Sequence, residues 1–544
     1  MNVVSDSLKS GSALADDYIN HYSRVQDLYG ADFREEAAWS SRVQWLDESE
    51  GTRMNRKALV TCLRQYNKRH NDHQEVHNSL DLLEQTGTLA IVGGQQSGLF
   101  TGSLLVVYKA LTIVLAAKEA QEKLQRPVVP VFWIAGEDHD WDEVNHTYVM
   151  TPELQVAKIK MDAAPGPKGP VSHTRVTAQQ WKKSLDHLAG LLPDSVNKPE
   201  ILELLHQSIE ESGNLSDAFA KLLGRLFGSM GLILLDSADP SLRKLEIPVF
   251  ERMIDHNDKL GQTYQAAAGR ITGKGYSLQA DVTEDGANLF YIYGGNRLLL
   301  QKQNGNFTDR KGIVNFSKEQ LRHELESHPE RFSNNVLTRP LMQESLLPVL
   351  CTVLGQGEIS YWAITKNAFP VLGLKMPILL PRMSFTLTNG TVRKYMTHFG
   401  LSFQDVQHRY EEARQNWLNA QVNLHIEPRF EETRRAFKSL YEPLIQELGT
   451  VQSGLTYLGE KNKVKILEQI TYLERKTKQA LEKQHEAALR QWEQIYVSLF
   501  PMGKPQERVY NIFYYINRYG FGWIDDILGS CTRYTAEHQI IEMQ

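Results

Sequence analysis

Hydrophobic and polar positions divide the chain into three stretches with different periodicity. Up to about Thr86, apolar residues recur with helical spacing. Between Leu89 and Leu380, short continuous apolar runs alternate with polar loops and helical segments, and from about Thr391 to Phe500 these runs vanish. Continuous apolar runs are typical of strands that are buried on both faces, as in a parallel sheet.

The apolar runs predict the strands of an α/β core. They are Leu89–Val92, Val128–Ala135, Gly231–Leu235, Leu346–Leu354 and Ile378–Leu380. A helical segment, Leu104–Lys123, lies between the first two runs, which predicts a βαβ unit and a Rossmann-like parallel sheet with ligand sites at the carboxyl ends of its strands. In residues Tyr276–Phe316, apolar and polar positions alternate on both sides of Gly294-Gly295, which predicts an inserted β-hairpin.

The stretch from Thr391 to Phe500 carries an apolar stripe on a charged background. Its members are Phe430, Phe437, Leu444, Leu448, Val451, Leu455, Leu458, Leu467, Ile470, Leu473 and Leu481. This spacing predicts a coiled-coil arm. Pro428 and Pro443 predict interruptions, and a turn between Gly449 and Gly459 predicts a helical hairpin. Two interpretations are open: the stripe packs only within the hairpin, or it also forms a dimerisation or partner surface. A stripe that is wider than the packing of a hairpin requires would favour dimerisation.

These patterns divide the chain into four segments. We expect an N-terminal helical segment (1–86) that packs on the core, and a catalytic core (87–385) with a connecting insertion around 270–320. A coiled-coil arm (386–502) follows, and a tail (503–544) packs back on the core.

Composition excludes several classes of protein. With 544 residues, 41% hydrophobic and 23% charged, the chain has a globular composition and room for more than one domain. A net charge of -5 gives no general attraction to nucleic acid or to an anionic membrane. The longest apolar stretch, Leu104–Ala117, contains Lys109 and is too short to span a bilayer. The three scattered cysteines suit a reducing cytoplasm, and Cys351, which follows an apolar run, is predicted to be a buried structural thiol.

A glycine-rich loop, Gly93–Gly102, follows the first predicted strand. Glycine amides and the start of the next helix favour an anion, although the spacing matches neither the dinucleotide motif nor the P-loop. The alternative is a tight turn that needs glycine for backbone reasons. Because polar donors are so frequent here, we expect anion or nucleotide binding, with these candidates: Gly93, Gly94, Gln95, Gln96, Ser97, Gly98 and Thr101.

An acidic loop, Gly136–His146, follows the second predicted strand and holds five carboxylates and two imidazoles. Massed carboxylates need a cation, a proton or an amine substrate to relieve their repulsion. The candidates are Glu137, Asp138, His139 and Asp140, with His139 as an acid/base group. The alternatives are a hydrated turn with a helix N-cap at Asp140 or Asp142, and a metal site at Asp138, His139 and His146. The spacing matches no zinc motif, so no structural metal is predicted.

Further polar residues cluster on both sides of the fourth predicted strand. Arg339 is suited to clamp a carboxylate or phosphate, and Glu358 to bind an amine, although a surface salt bridge is the common alternative for such residues. The other candidates in this part of the chain are Asn334, Asn335, Gln343, Gly357, Tyr361 and Trp362.

The chain resembles the cysteine ligases of bacillithiol biosynthesis along essentially its whole length. The matching blocks are VGGQQSGLFTG (92–102), PVFWIAGEDHDWDEVNH (130–146), HPERFSNNVLTRPLMQE (328–344), GQGEISYW (355–362), KMPILLPRMS (375–384) and NIFYYINRYG (511–520). The resemblance implies a Rossmann-like core with a connecting insertion, a coiled coil and a homodimer. It also implies ATP-dependent joining of cysteine to glucosaminyl-malate, the last step of bacillithiol biosynthesis, with ATP accompanied by Mg²⁺.

The core is also similar to class I ligases and nucleotidylyltransferases, which bind ATP through a His-containing motif after the first strand and a Lys/Ser-rich motif after the last. Here the first position lacks histidine, and the last holds only Arg382-Met383-Ser384-Phe385-Thr386. We infer that His139 supplies the imidazole and that Arg382 helps to hold anions. The leading hypothesis is a ligase in which ATP activates the cysteine carboxyl group as an adenylate or a phosphate. The alternatives are a nucleotide-binding coiled-coil scaffold without turnover and a metal-dependent hydrolase.

Overall fold

The computed structural model describes residues 2–8, 11–162, 166–421, 426–531 and 533–543. The chain divides into two compact units. The first unit comprises residues 1–386 and 505–541, and the second comprises residues 387–504 and 542–544.

The first unit begins with helices and continues as an α/β domain. The first elements are β1 (Asn2–Asp6), α1 (Ala13–Asn20), α2 (Glu36–Glu48), α3 (Arg56–His70) and α4 (Gln74–Glu84). Next are β2 (Leu89–Gln95), α5 (Leu104–Leu124), β3 (Val128–Ile134), α6 (Trp141–Val144), β4 (His146–Met150), β5 (Val156–Lys160), α7 (Ala178–Leu191), α8 (Lys198–Glu210) and α9 (Leu215–Phe227). Then follow β6 (Ile233–Asp236), α10 (Pro240–Asp255), α11 (Asn257–Gly273), β7 (Gly286–Tyr293), β8 (Asn296–Gln303), β9 (Asn306–Asp309), β10 (Asn315–Phe316), α12 (Lys318–Ser327), β11 (Phe332–Asn334), α13 (Arg339–Leu346), β12 (Val349–Leu354), α14 (Gln356–Thr365) and β13 (Ile378–Pro381).

The central sheet has the strand order β13-β12-β2-β3-β6, and every neighbouring pair is parallel. The Rossmann-like parallel sheet predicted from the apolar runs is therefore confirmed. The strand bounds differ from the predicted ones by one to three residues. The largest differences are that β2 continues to Gln95 and that Leu346 ends the helix α13 instead of beginning a strand. The chain leaves β2 toward β3 on one side and returns to β12 on the other, so the β2–β12 border is a switch point where ligand sites form.

The predicted hairpin is part of a larger inserted sheet. Strands β7 and β8 pair antiparallel across Gly294 and Gly295, both with positive φ, as a tight hairpin turn requires. The full order is β10-β9-β8-β7-β11, with antiparallel pairing throughout. Strand β11 lies just ahead of α13, so this sheet is joined directly to the segment that leads into the central strand β12.

The second unit contains the predicted helical hairpin. Its helices, preceded by β14 (Ser384–Asn389) at the unit boundary, are α15 (Gly390–Phe399), α16 (Phe403–His408), α17 (Tyr410–Ala420), α18 (Ile426–Val451), α19 (Ser453–Gln484) and α20 (Glu486–Leu499). Ion pairs Glu427–Lys478 and Arg434–Glu474 show that α18 and α19 run antiparallel. The predicted interruption at Pro443 is wrong, because Pro443 lies inside α18.

Part of the apolar stripe on the hairpin is exposed. Ile445 and Leu481 are buried. Other apolar side chains of these two helices are exposed: Leu440, Leu444, Leu448, Val451, Tyr457, Leu458, Val464, Tyr472 and Leu473. The stripe is therefore wider than the hairpin itself buries.

The tail returns to the first unit through α21 (Ile512–Tyr519), α22 (Trp523–Ser530) and β15 (His538–Met543), which crosses the unit boundary. Asn511 donates hydrogen bonds from Nδ2 to the carbonyl oxygens of Phe100 and Gly102, each at 2.7 Å. Among the helices in the described ranges, none combines the length and apolar composition that a membrane span requires.

Candidate active site

A cavity of about 860 Å³ lies in the first unit at the carboxyl ends of the central strands. Its wall includes residues that follow β2, β3 and β12, together with residues of the inserted sheet and of the tail. This is the edge of the sheet where the sequence predicts a ligand site, and the volume suits a substrate of the size of a nucleotide.

Three residues of the acidic loop line the cavity, namely Glu137, Asp138 and His139. Asp140 is instead an exposed N-cap, whose Oδ1 accepts a hydrogen bond from the Glu143 amide at 3.3 Å. His146 begins strand β4 and lies outside the described cavity wall. The capping alternative therefore applies to Asp140, because α6 needs an acceptor for its first amides.

Glu137 is buried and joins three elements. Its Oε2 accepts hydrogen bonds from Arg243 Nη2 on α10 and from the backbone N–H of Asn334, the latter at 3.0 Å. Arg243 also pairs with the buried Glu246. Asn334 lies on the cavity wall, and its buried side-chain amide has no hydrogen-bond partner within the described residues. A buried carboxylate between an arginine and a backbone amide holds this loop firmly, because breaking such a pair leaves an uncompensated charge.

Asp138 is held in its ionised form. Partial burial raises the pKa of Asp138, but hydrogen bonds from His139 and Gln96 and the charge of Arg297 outweigh it, so the pKa lies well below its usual range. Gln96 Nε2 donates to Asp138 Oδ2 at 2.6 Å and also to Glu143 Oε2 at 2.6 Å. Asp138 is therefore a fixed negative charge on the wall and a weak base.

Arg297 of strand β8 and Asp138 both contact the Nδ1 atom of His139. Arg297 Nη1 lies 3.1 Å from His139 Nδ1. Asp138 Oδ1 lies 3.5 Å from the same nitrogen, so the arginine contact is the shorter of the two. Arginine has only donors, so in that contact Nδ1 accepts and a neutral ring carries its proton on Nε2. The guanidinium is itself fixed 3.7 Å above the ring of Phe290 and donates to Ser333 Oγ at 2.8 Å. This arrangement favours His139 as a hydrogen-bond donor over the acid/base role inferred from sequence.

Most of the glycine loop is used for packing. Gly93 and Gly94 lie within β2, in register with Phe132 and Trp133 of β3. A Cβ on Gly94 would lie 2.3 Å from the Trp133 carbonyl oxygen. Gly93 pairs with both β3 and β12, and the carbonyl oxygen of Gly94 accepts a hydrogen bond from Lys109 Nζ, so these two glycines serve packing within the fold.

The remainder of the loop turns away from the cavity. Ser97 is buried and its hydroxyl contacts Ser216 Oγ at 2.7 Å. Ser97, Gly98 and Thr101 are absent from the described cavity wall, whereas Gly94, Gln95 and Gln96 belong to it. Only the first part of this loop therefore remains a candidate for ligand binding.

A buried ionic cluster lies below the start of α14. Glu358 Oε2 accepts hydrogen bonds from Lys109 Nζ and from the Gly355 amide, the latter at 2.7 Å, and Oε1 lies 3.8 Å from Arg339 Nη2. Burial alone would raise the pKa of Glu358, but the charges of Lys109 and Arg339 lower it below the usual range. Lys109 also donates to the Gly94 carbonyl oxygen at 2.7 Å. Glu358 is expected from sequence to bind the amine of a substrate. In the structure the ammonium group of Lys109 already occupies that place.

Arg339 and Arg382 reach the cavity, and each has a fixed partner. Arg339 donates to the hydroxyl of Tyr361, whose pKa burial raises to about 12, with Arg339 opposing the increase. Arg382 pairs with both carboxylate oxygens of Glu507 in the tail. Both guanidinium groups are therefore oriented before any ligand binds.

The other candidates, on both sides of the fourth predicted strand, divide into two groups. Gly357 and Asn335 lie on the cavity wall, where Asn335 Oδ1 also caps the turn to Thr338. Gln343 points into the core and donates to Thr352 Oγ1 at 3.1 Å, and Trp362 is 1% exposed against Phe369. Neither Gln343 nor Trp362 is part of the described cavity wall. Both face the core because one side of each helix covers the sheet.

Sequence reasoning missed several residues of the wall: Lys109, Phe290, Arg297, Leu299 and Arg508. Lys109 stood out in the sequence only as a polar interruption of an apolar helix, which is itself an indication of a buried charge with a partner. The other four belong to the insertion or to the tail, far from the motifs along the chain.

Two further findings concern cysteine and metal chemistry. Cys351 is buried, as predicted, and burial raises the pKa of its thiol well above the usual range, which disfavours the thiolate. In the part of the chain that the structure describes, no group of three or more His, Cys, Asp or Glu side chains has an arrangement suited to hold a metal ion.

Comparison with known proteins identifies the family. The description "Bacillithiol biosynthesis BshC, N-terminal Rossmann-like domain" matches residues 1–383, and "Bacillithiol biosynthesis BshC, C-terminal coiled-coil domain" matches residues 385–543. A relative from Geobacillus sp. (strain WCH70) is 35% identical over 99% of this chain and 100% of its own. A relative from Bacillus cytotoxicus is 34% identical over 97% of both chains, and both relatives are named "Putative cysteine ligase BshC". The chain therefore belongs to the BshC family of bacillithiol biosynthesis.

Proposed function

We propose that the protein is an ATP-dependent ligase that joins the carboxyl group of cysteine to the amino group of glucosaminyl-malate, the last step of bacillithiol biosynthesis. The names of the relatives support the reaction class. The observation that carries the proposal is one cavity at the switch point of a Rossmann-like sheet, with cationic groups near α14 and an acidic-histidine loop after β3. Such a division suits a reaction that brings an anionic and an amine substrate together.

The cationic wall is suited to the phosphate groups of ATP. ATP would supply the activation of the cysteine carboxyl group. Arg339 and Arg382 present guanidinium groups whose orientation is fixed by Tyr361 and Glu507. Fixed cations stabilise charge that develops on a leaving phosphate without reorganising during the reaction. Magnesium bound to a nucleotide would take most of its ligands from the phosphates and water, so it needs few protein carboxylates.

The acidic-histidine wall is suited to the amine and to the reacting carbonyl group. Asp138 remains ionised and attracts an ammonium group, which gives it the role that Glu358 cannot fill while paired with Lys109. His139 would donate from Nε2 to the oxygen on which negative charge develops, as a neutral imidazole does when its other nitrogen is occupied. Catalysis would then depend on orientation and electrostatic support.

The direct test is to incubate the purified full-length protein with ATP, cysteine and glucosaminyl-malate and to follow the product thiol by mass. Arg339→Ala should reduce product formation by roughly a hundredfold, because a fixed cation at developing charge contributes on that scale. Arg518→Ala, on an exposed site outside the cavity, is the matched control. Nucleotide binding without product from the wild-type protein would support the scaffold alternative and reject the ligase.

We also propose that two copies associate through the helical hairpin. The exposed apolar residues on α18 and α19 form a wider stripe than the hairpin buries, and such patches commonly mark protein interfaces. Replacing Leu444 and Leu458 together by Glu should give monomers in sedimentation, since burying carboxylates at an interface is costly. Replacing Lys438 and Lys461 by Glu elsewhere on the same helices is the control. A double Leu variant that sediments as a dimer would reject this interface.

A further inference from the structure

Arg508 lies on the cavity wall and differs from the other cations there. The tail carries it into the first unit, and its side chain is partly open to solvent. Within the residues that the structure describes, no ion pair and no side-chain hydrogen bond involves Arg508. It therefore adds a charge to the cavity that the fold itself does not neutralise.

The remaining cationic side chains of the wall each have a carboxylate within 4.0 Å. These pairs are Lys109–Glu358, Arg339–Glu358, Arg297–Asp138 and Arg382–Glu507. These four side chains are committed to partners within the fold, whereas solvent alone reaches the charge of Arg508. Arg508 can therefore exchange water for an anionic ligand without the loss of an internal ion pair.

The backbone that carries Arg508 is well anchored. Residues Gln506–Arg508 form a short 3-10 turn after Pro505, and the neighbouring Glu507 is buried. Glu507 pairs with Arg382 and accepts a hydrogen bond from the Phe385 amide at 3.2 Å. The turn thus places Arg508 on the same cavity wall as Arg382, whose charge acts on it, while Glu507 is paired with Arg382.

The local electrostatics favour an anion at this place. Burial and the charge of Arg382 lower the pKa of Arg508, and the carboxylate of Glu507 compensates only in part. Two guanidinium groups opposed by the one carboxylate of Glu507 retain a net positive charge. Binding of a phosphate or carboxylate group would relieve their repulsion and give a charge-assisted hydrogen bond.

We propose that Arg508, beside Arg382, forms an anion subsite that binds a phosphate or carboxylate group of a substrate. For the identity of the substrate the inference rests on the proposed function, which offers two sources of this chemistry: the polyphosphate of ATP and the two carboxylates of the malyl group. In either case the tail supplies a substrate contact to a cavity that the central sheet forms.

The test measures binding directly, without turnover. Full-length wild-type protein, Arg508→Ala and the control Arg518→Ala are titrated by calorimetry with inorganic tripolyphosphate and, separately, with malate. Loss of one charge-assisted hydrogen bond should weaken the recognised anion by roughly tenfold to a hundredfold in Arg508→Ala only. A tenfold loss for tripolyphosphate assigns the subsite to the nucleotide, and the same loss for malate assigns it to the acceptor. The affinity should also fall as the salt concentration rises.

Three results would overturn the subsite. They are no binding of either anion to the wild-type protein, equal affinity of the wild type and Arg508→Ala, and an equal loss of affinity in Arg508→Ala and Arg518→Ala. Thermal melting separates the subsite from a structural role. Because Arg508 makes no partner contact within the described residues, Arg508→Ala should melt at the wild-type temperature or above it, whereas a structural arginine would lower the melting temperature. If the wild-type protein forms no product while the binding difference persists, the proposed reaction fails and the anion subsite stands.

Discussion

The loops that follow β2 and β3 leave adjacent strands at the same edge of the sheet, yet they serve different purposes. The loop after β3 brings Glu137, Asp138 and His139 to the cavity. In the predicted glycine loop, Gly93 and Gly94 belong instead to the end of β2, where the lack of side chains allows β3 and β12 to approach closely. From sequence, both loops are candidates for ligand binding.

The difference shows how tertiary contacts determine the use of a motif. A glycine serves either a ligand or a neighbouring strand, and the two uses cannot be distinguished until the neighbour is known. Carboxylates directly after a buried strand are less ambiguous, since they need partners or solvent wherever they lie. Substitutions in the two loops should accordingly affect different properties, stability in the first and turnover in the second.

The largest expected effect is that of Gly94→Ala on stability. The new Cβ would lie 2.3 Å from the Trp133 carbonyl oxygen, so the central pair β2–β3 must separate. We expect the free energy of unfolding to fall by roughly 3 kcal/mol or more, at the upper end of overpacking effects. Denaturant unfolding measures this. Gly357→Ala is the control for stability, because its Cβ would have no neighbour within 4 Å. Equal stability of the two variants would remove the distinction between the loops.

A smaller but specific effect is expected from His139→Ala on turnover. If the Nε2 proton of His139 supports developing charge, kcat should fall roughly a hundredfold while the melting temperature stays near that of the wild type. His139→Gln retains an N–H donor and should recover part of the rate, which an acid/base role would not allow. His146→Ala is the control, because His146 lies outside the described cavity wall. Near-normal kcat for His139→Ala in the product assay would show that this loop is structural as well.

The smallest expected effect concerns Asp140, within the same acidic loop. As the N-cap of α6, it should contribute about 1 kcal/mol of stability. Asp140→Asn retains a capping oxygen and should match the wild type, whereas Asp140→Ala should lower the melting temperature slightly and leave kcat unchanged. A turnover defect in Asp140→Asn would extend the functional part of the loop beyond His139.

The sequence by itself determined much of the architecture. Continuous apolar runs predicted the five strands of the parallel sheet, because strands buried on both faces need apolar residues at successive positions. The period of the apolar residues in the arm predicted α18 and α19, since an apolar stripe requires that spacing on a helix. Residues directly after the strand ends, such as Asp138 and Glu358, were predicted to lie at one edge, because parallel strands bring their carboxyl ends together.

Only the tertiary structure decided which charges face one another. Lys109 pairs with Glu358 although 249 positions separate them, and Arg297 meets His139 because the inserted sheet covers the cavity. Arg508 reaches the wall because the tail returns from the second unit. Periodicity reports which face of an element is buried, but it carries no information about what covers that face. The orientation of His139 and the balance of charge in the cavity depend on those distant partners, which is why they emerged only from the fold.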